Sequence, residues 1–415
     1  MSPGAGPGWT DHRGAPGPVV FFCRFPPPVT GQTVATRTFA ELLEEAGVPV
    51  VRLDISDGRL HLRRGLGGAL RRAGSAVGAL LRLRRTRGRR GASTVYFVPS
   101  SSVGGQLRDL LHVLGMGRRV RVVAHVHSGN LARIFSSPAR RAVARVVVGR
   151  VDRFLFLSEG LRAGVAGRIP PERTAVVPNT VRRELELGEE ELEGKWAAAR
   201  ERGGLRVGFV GHLLESKGVW ETLDGVRMAR QEVEASLALV GGWPDRASEA
   251  RFQAWTERHG AAAWCTHHGE VRDTESLREL YRGMDVLALP SRYPQEAQPL
   301  VVLEAMAAGA AVVASRQGGL GEIMDGTGVG QVVQPGSAEA VAEALVGLRG
   351  RVQEHGRRAR ALFEERFGRA EVAARLREAM GFGEASSRRR EGAPPEGGGG
   401  DTPTPPRDGP DQGGG

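Results

Sequence analysis

Long apolar runs are what this sequence most clearly lacks: none approaches the roughly 18 residues that a bilayer-spanning helix needs. Cysteine is nearly absent. Its two copies, Cys23 and Cys265, stand far apart without metal-like spacing, which excludes a disulfide scaffold and a cysteine zinc site and fits a reducing compartment. Aromatic residues make up only 5% of the chain, while Gly and Arg are abundant, a bias that GC-rich coding would produce without any functional cause. No Asp-x-Asp metal motif occurs. The start, residues 1–18, is rich in Gly and Pro and lacks the apolar stretch of a signal peptide. These absences together predict a cytoplasmic protein.

What is present suits two globular domains: 415 residues, 40% hydrophobic and 25% charged. The net charge of +11 is unevenly placed. Residues 1–190 carry 30 basic and 14 acidic side chains, whereas the remainder carries 28 and 33. The positive surplus therefore belongs to one half and to that half's partner, not to general solubility.

Short apolar strands are expected over 19–23, 48–54, 94–98, 121–127, 153–158 and 174–177, with helices such as 106–114 and 138–148 between them. The charged segment 182–204 breaks this alternation and reads as a linker. The alternation resumes with strands over 205–210, 237–240, 285–289 and 311–314, then closes with helices over 338–348, 351–367 and 370–380. Such alternation predicts parallel sheets covered on both faces. The expected divisions are a flexible start (1–18), a first domain (19–190), a second domain (191–368), a closing helix (369–383) and a disordered tail (384–415).

Ligands of open parallel sheets sit beyond the carboxyl ends of the strands, so the loops there carry the chemistry. The loop Gly211–Gly218 follows a strand and opens a helix, placing Lys217 beside unpaired helix N–H groups that favour phosphate. Its glycine spacing is not the Walker pattern, and a solvated lysine is the alternative. A second loop holds Glu296 and leads into an apolar helix with Glu304 among Val301, Val302, Leu303, Ala305 and Met306. A carboxylate buried there must hold hydroxyl or N–H groups; the two hydroxyls of a ribose or a neighbouring protein element would both serve.

Seven residues separate Glu296 from Glu304, and that run resembles the paired-glutamate motif of family 4 retaining glycosyltransferases with the GT-B fold. The resemblance continues through Glu304-Ala305-Met306-Ala307-Ala308-Gly309, Val312–Ser315, Gly318–Ile323, Val176–Asn179 and the Lys217 loop, in the family's order. In the amino half, Pro26–Gly31, Tyr96–Ser102 and His125-Val126-His127 resemble enzymes that build capsule, O-antigen and other exopolysaccharides. The resemblance implies an α/β GT-B architecture, two Rossmann-like domains facing a cleft, with the final helix returning toward the first domain. The first domain would take the acceptor and the second a UDP- or GDP-sugar, with no metal or other cofactor.

By the same resemblance Lys217 neutralises the donor diphosphate, Glu304 binds ribose, and Glu296 holds hydroxyls of the transferred sugar. His127 contacts sugar or acceptor, the alternative being an ordinary core histidine. Gly31, in a loop facing the cleft, admits the diphosphate to the backbone. Gly211, His212, Gln298 and Leu300 would complete the donor pocket. Two departures stand out. His212 occupies a position where the family commonly has arginine, a role Arg292 is a candidate to fill, and Ala297-Gln298-Pro299 replaces a Gly-Phe-Gly. The implied reaction is a retaining hexosyl transfer to a membrane-associated glycan or lipid-linked acceptor in polysaccharide biosynthesis. An epimerase of the same fold acting on nucleotide sugars, and a non-catalytic membrane adaptor, are the alternatives.

From Arg63 to Arg90 there are ten arginines and no acidic residue. Leu66, Leu70, Ala73, Val77 and Leu80 recur at helical spacing, which predicts an amphipathic helix with Arg71, Arg72 and Arg82 opposite. Such a helix suits an anionic membrane surface, hence a peripheral place on the inner membrane face. A plain helix packed on the sheet is the alternative. Nucleic acid is not expected, because the strip has no aromatic side chains.

Overall fold

The computed structural model describes residues 17–56, 66–117 and 119–382. The start expected to be flexible, up to residue 16, and the tail from Glu384 lie outside the described residues, as do Arg63 and Arg64.

Among the described residues, twelve strands form two parallel sheets of six. The first contains β1 (Val19–Cys23), β2 (Val50–Asp54), β3 (Thr94–Phe97), β4 (Arg121–Val126), β5 (Arg153–Phe156) and β6 (Thr174–Val176), ordered β2-β1-β3-β4-β5-β6. With it go α1 (Gly31–Glu45), α2 (Leu66–Arg90), α3 (Val103–Gly115), α4 (Pro138–Arg150) and α5 (Glu159–Ala163). The second contains β7 (Leu205–Val210), β8 (Ala235–Val240), β9 (Cys265–His267), β10 (Val286–Leu289), β11 (Ala311–Ala314) and β12 (Gly330–Val332), ordered β12-β11-β10-β7-β8-β9. Around it lie α6 (Glu189–Arg202), α7 (Val219–Ala229), α8 (Arg246–His259), α9 (Thr274–Gly283) and α10 (Leu300–Ala307). The chain closes with α11 (Leu320–Met324), α12 (Ala338–Gly347), α13 (Val352–Phe367) and α14 (Arg369–Ala379).

Helices cover both faces of each sheet, so central strands bury every side chain instead of alternating: all five residues of β1 and all four of β11 are buried. All strands of a parallel sheet end at one edge. The loops after β1, β3 and β4 therefore gather at one edge, and those after β7 and β10 at another.

The final helix returns to the first domain. Val372, Leu376, Ala379 and Met380 pack into one core with Val19, Phe21, Phe39 and Leu43, and Arg369 bonds Glu45 at 2.6 Å.

Two sequence expectations need correction. The segment read as a linker contains α6, which docks Leu192, Trp196 and Ala199 into the second core at spacings of four and three. The Trp196 indole donates to the Gly309 carbonyl at 2.8 Å. Lys195, buried, donates to the carbonyls of Tyr281 (3.1 Å) and Ala308 (2.5 Å), and burial pushes its ammonium down to about 7. Three glutamates in its first turn suit the positive end of the helix dipole, and Gly203 ends it at φ +71°.

The second correction concerns α2. Its core face is Ala79, Leu80 and Leu83, while Val77, expected on that face, is 44% exposed beside Leu81 at 46%. Leu80 sets this rotation by filling the space above Gly115 of α3, where an added Cβ would lie 2.1 Å from Leu80 Cδ2. Arg84 Nε then donates to the Gly115 carbonyl and Arg87 Nη1 to that of Met116, each at 2.8 Å. The side chains of Leu66, Leu70, Arg72 and Ala73 lie outside the described ones. No helix among the described residues is long and apolar enough to cross a membrane.

If α6 belongs to the second domain, Trp196→Ala should lower unfolding free energy by about 3–5 kcal/mol, the range for emptying a buried aromatic site. Urea denaturation measures this, and a loss under about 1 kcal/mol would restore the linker reading.

Candidate active site

A cavity of about 480 Å³ lies where the carboxyl edge of the first sheet meets the loop after β10. Gly31, Ser101 and His127 border it from the first domain, Tyr293 and Gln295 from the second. Gly31 is the first residue of α1 and not, as expected, part of the preceding loop: Thr30 caps the helix by accepting from the Thr33 N–H at 3.2 Å. Beyond its chain neighbours and its own helix backbone, no atom of the described residues stands within 4 Å of where a Gly31 Cβ would be, so the amino end of α1 borders open space.

His127 follows β4. Its ring packs against His125 (centroids 4.5 Å) and Phe39 (5.8 Å). His125 is fixed on both sides, with Nδ1 2.7 Å from the Tyr96 hydroxyl and Nε2 3.0 Å from the Val177 carbonyl. That pattern makes Nε2 the donor and Nδ1 the acceptor. Burial drives His125 well below the usual imidazole range and pushes His127 down to about 3. His127 Nε2 is buried without a partner. A neutral ring with a spare nitrogen at a cavity wall can bond a hydroxyl without adding charge.

Lys217 ends a short 3₁₀ turn, Glu215–Lys217, and Gly218 follows at φ +86° as the cap of α7. A Cβ at Gly218 would lie 2.6 Å from Pro290, so the loops after β7 and β10 touch there. This approach brings Lys217 Nζ to 3.4 Å from Glu296 Oε2, with 18% and 8% of the side chains exposed. Ser291 Oγ donates to the same carboxylate oxygen at 3.2 Å, and Lys217 lies 5.7 Å from the Tyr293 ring centre. Gly211 turns the chain out of β7 at φ +122°, and His212 beyond it is exposed. Arg292, the candidate replacement for the missing arginine, is held by Glu221 and by Glu215 at 3.2 Å.

Glu304 sits one turn into α10, buried, and accepts from the Tyr281 hydroxyl at 2.7 Å. Burial raises its pKa, opposed by that hydrogen bond and by Arg182. Gln298 directs its amide to the other domain. Its Oε1 accepts from the Asn179 N–H at 2.6 Å, and its Nε2 donates to the Leu157 carbonyl at 3.1 Å. Leu300 opens α10 and packs against the core of the first domain. Both residues, expected to line the donor pocket, hold the domains together. Tyr281, Arg182 and Ser291 went unnoticed in the sequence, since nothing in their own neighbourhoods marks them as partners of the two glutamates.

Comparison with known proteins bears on this geometry. The family model described as glycosyl transferases group 1 matches residues 204–350, which span β7 through α12 and hold Lys217, Glu296 and Glu304. Residues 204–350 form a glycosyl transferases group 1 domain. The D-inositol 3-phosphate glycosyltransferase of Corynebacterium jeikeium is 35% identical over 144 residues, 34% of this chain and 34% of that protein. The chain thus spans about a third of that relative's length. Among solved structures, sucrose-phosphate synthase from Thermosynechococcus elongatus superposes with a TM-score of 0.66 at 19% identity, covering 88% of this chain and 98% of that one. HepE from Anabaena, in complex with UDP-glucose, gives 0.62 at 17%, covering 88% and 99%. The fold is GT-B, with two Rossmann-like domains.

The neutral His127 predicts a pH dependence. An unfolded imidazole takes its proton near pH 6.5, the folded one only near 3. The unfolded state therefore binds the proton first, and the stability that His127 contributes is full above 6.5 and declines as pH falls toward 3. Melting temperature followed from pH 7 to 4 should fall less steeply in His127→Gln than in the parent; equal slopes would show that His127 takes up its proton as readily in the fold as in the unfolded chain.

Proposed function

We propose that the chain is a glycosyltransferase that moves a hexosyl group from a UDP- or GDP-sugar, with retention, to a membrane-associated glycan or lipid-linked acceptor in polysaccharide biosynthesis. The Lys217–Glu296 pair carries this reading. A cation at the amino end of α7 and a carboxylate in the adjoining loop meet beside the interdomain cavity.

The chemistry follows from charge. Breaking the bond between sugar and phosphate builds negative charge on the leaving diphosphate and positive charge on the ring. The Lys217 ammonium and the first turn of α7 are set to take up the former without reorganising. Glu296, anchored by Ser291, would accept hydroxyls of the transferred sugar close to the reacting carbon. Glu304 would accept the ribose hydroxyls on the oxygen that Tyr281 leaves open. His127 would bond the sugar or the acceptor through Nε2. Attack from the face that the leaving phosphate vacates retains the anomeric configuration and needs no protein nucleophile. The UDP-glucose complex of HepE, a protein of like fold, favours a uridine nucleotide among the possible donors.

Purified protein incubated with a panel of UDP- and GDP-sugars should release nucleotide, with or without a chelator. Lys217→Ala should lower kcat by about 10²–10³-fold, as removal of one preorganised charge-stabilising donor does. Glu304→Ala should act chiefly through the donor KM, by on the order of ten- to a hundredfold. Conversion of the sugar without free nucleotide would favour an epimerase, and no turnover of any sugar would favour an adaptor.

A further inference from the structure

The basic strip is one edge of a larger surface. Helix α3 lies between α2 and α4 on one face of the first sheet. Its inward positions, Gln106, Asp109, His112 and Val113, are buried. Its outward positions are aliphatic: Val103 (59% exposed), Leu107 (55%), Leu111 (38%) and Leu114 (51%). These four recur at intervals of four, four and three, which aligns them along one ridge.

Both neighbouring helices extend the ridge. On α2, Leu80 and Arg84 touch Gly115 of α3, so Val77 and Leu81, one helical step outward, lie beside it. On α4, Arg150 donates to the Val113 carbonyl, and Val146, one turn earlier, is 41% exposed. Exposed charge on these three helices has one sign. From Gly58 to Val151 the sequence holds twenty arginines and a single acidic residue, Asp109, which is 2% exposed and bound to Arg108 at 2.6 Å. Arg71, Arg82, Arg84, Arg85, Arg89 and Arg90 of α2 are exposed.

We propose that this face docks on an anionic lipid bilayer, with the α3 ridge entering the acyl boundary and the arginines meeting lipid phosphates. An aliphatic ridge flanked by arginine-rich helices matches a surface that is negative outside and apolar beneath. A second copy of the chain would bring cation against cation. The 33 residues after Phe382 contain no Leu, Ile, Val, Met or aromatic side chain with which to cover the ridge. The ridge begins at Val103, directly after Ser100–Ser102 at the cavity wall, so a bilayer under α3 lies at the cavity's edge. This deepens the acceptor reading above, on which its use in transfer rests.

Flotation of the full chain tests the surface, and it requires neither donor nor acceptor, so it succeeds or fails independently of the transfer reaction. With vesicles of phosphatidylglycerol and phosphatidylcholine at low salt the protein should float, and with phosphatidylcholine alone it should not. Leu107→Gln with Leu111→Gln should lower the bound fraction on the order of tenfold or more while leaving the melting temperature near the parent's. Arg85→Glu with Arg89→Glu should abolish the preference for anionic vesicles. Failure to float at low salt overturns the proposal, as does flotation that the glutamine pair leaves intact. Sedimentation as a dimer that the glutamine pair dissolves would assign the ridge to a second copy. RNA binding that the same pair abolishes, without vesicle binding, would assign it to nucleic acid.

Discussion

The loop of residues 294–299 is wedged between the two domains with no room for a side chain on either side of Glu296. A Cβ at Gly129 of the first domain would lie 2.2 Å from the Glu296 carbonyl oxygen, and one at Gly318 of the second would lie 2.0 Å from the same atom. Gly129 donates to the Gln295 carbonyl at 3.3 Å and Gly319 to that of Ala297 at 2.6 Å. The position of the carboxylate that faces Lys217 is thus set by two missing side chains, one from each domain. Gly318 also needs its freedom at φ +58°. Bringing the domains together and placing Glu296 are one event, and the contacts of Gln298 with Asn179 and Leu157 belong to the same seam.

Electrostatics gives this seam its chemistry. In the absence of ligand, Lys217 is shared with Glu296, so neither charge is left alone in a partly desolvated place. In the proposed reaction an arriving diphosphate would take up the ammonium, and Glu296, still held by Ser291, would be left to accept hydroxyls. Glu304 obeys a similar logic at greater depth. Burial raises its pKa, and Tyr281 with Arg182 offsets part of the shift. Two further hydroxyl donors from a ligand would favour the ionised form and tie ligand binding to that charge.

How far the sequence revealed this depended on whether each signal was local. The central strands were plain because β1 and β11 are short apolar runs bounded by turns. The edge strands β9 and β12 have three residues each, too few to show a pattern. Helix α6 was hidden by its own charge, since its buried stripe is one side chain wide amid Glu and Arg. The face of α2 was misread because Gly115, far along the chain, decides its rotation. At the site, Lys217, Glu296 and Glu304 stood out through the resemblance of their motifs, since position alone left a solvated lysine and a protein-held carboxylate open. Tyr281 and Ser291 became visible only when the fold set them against the glutamates, and the contacts of Gln298 across the domain seam emerged for the same reason.

The choice of cation supports the same picture. Of the 58 Lys and Arg residues, two are lysine, Lys195 and Lys217, so arginine is this chain's ordinary positive side chain. Both exceptions sit where a guanidinium would not fit the task. Between the carbonyls of Tyr281 and Ala308 a compact ammonium can satisfy two acceptors in a buried gap, whereas a planar fork would leave N–H groups unmet. Beside Glu296 an arginine would form a two-pronged, directional pair that competes with any incoming phosphate. An ammonium at 3.4 Å makes a looser contact from which it can turn to a diphosphate oxygen. In a chain whose composition supplies arginine almost everywhere, lysine at 217 is the side chain that would let the proposed donor site hold its charge balance when empty and release a cation to a ligand when filled.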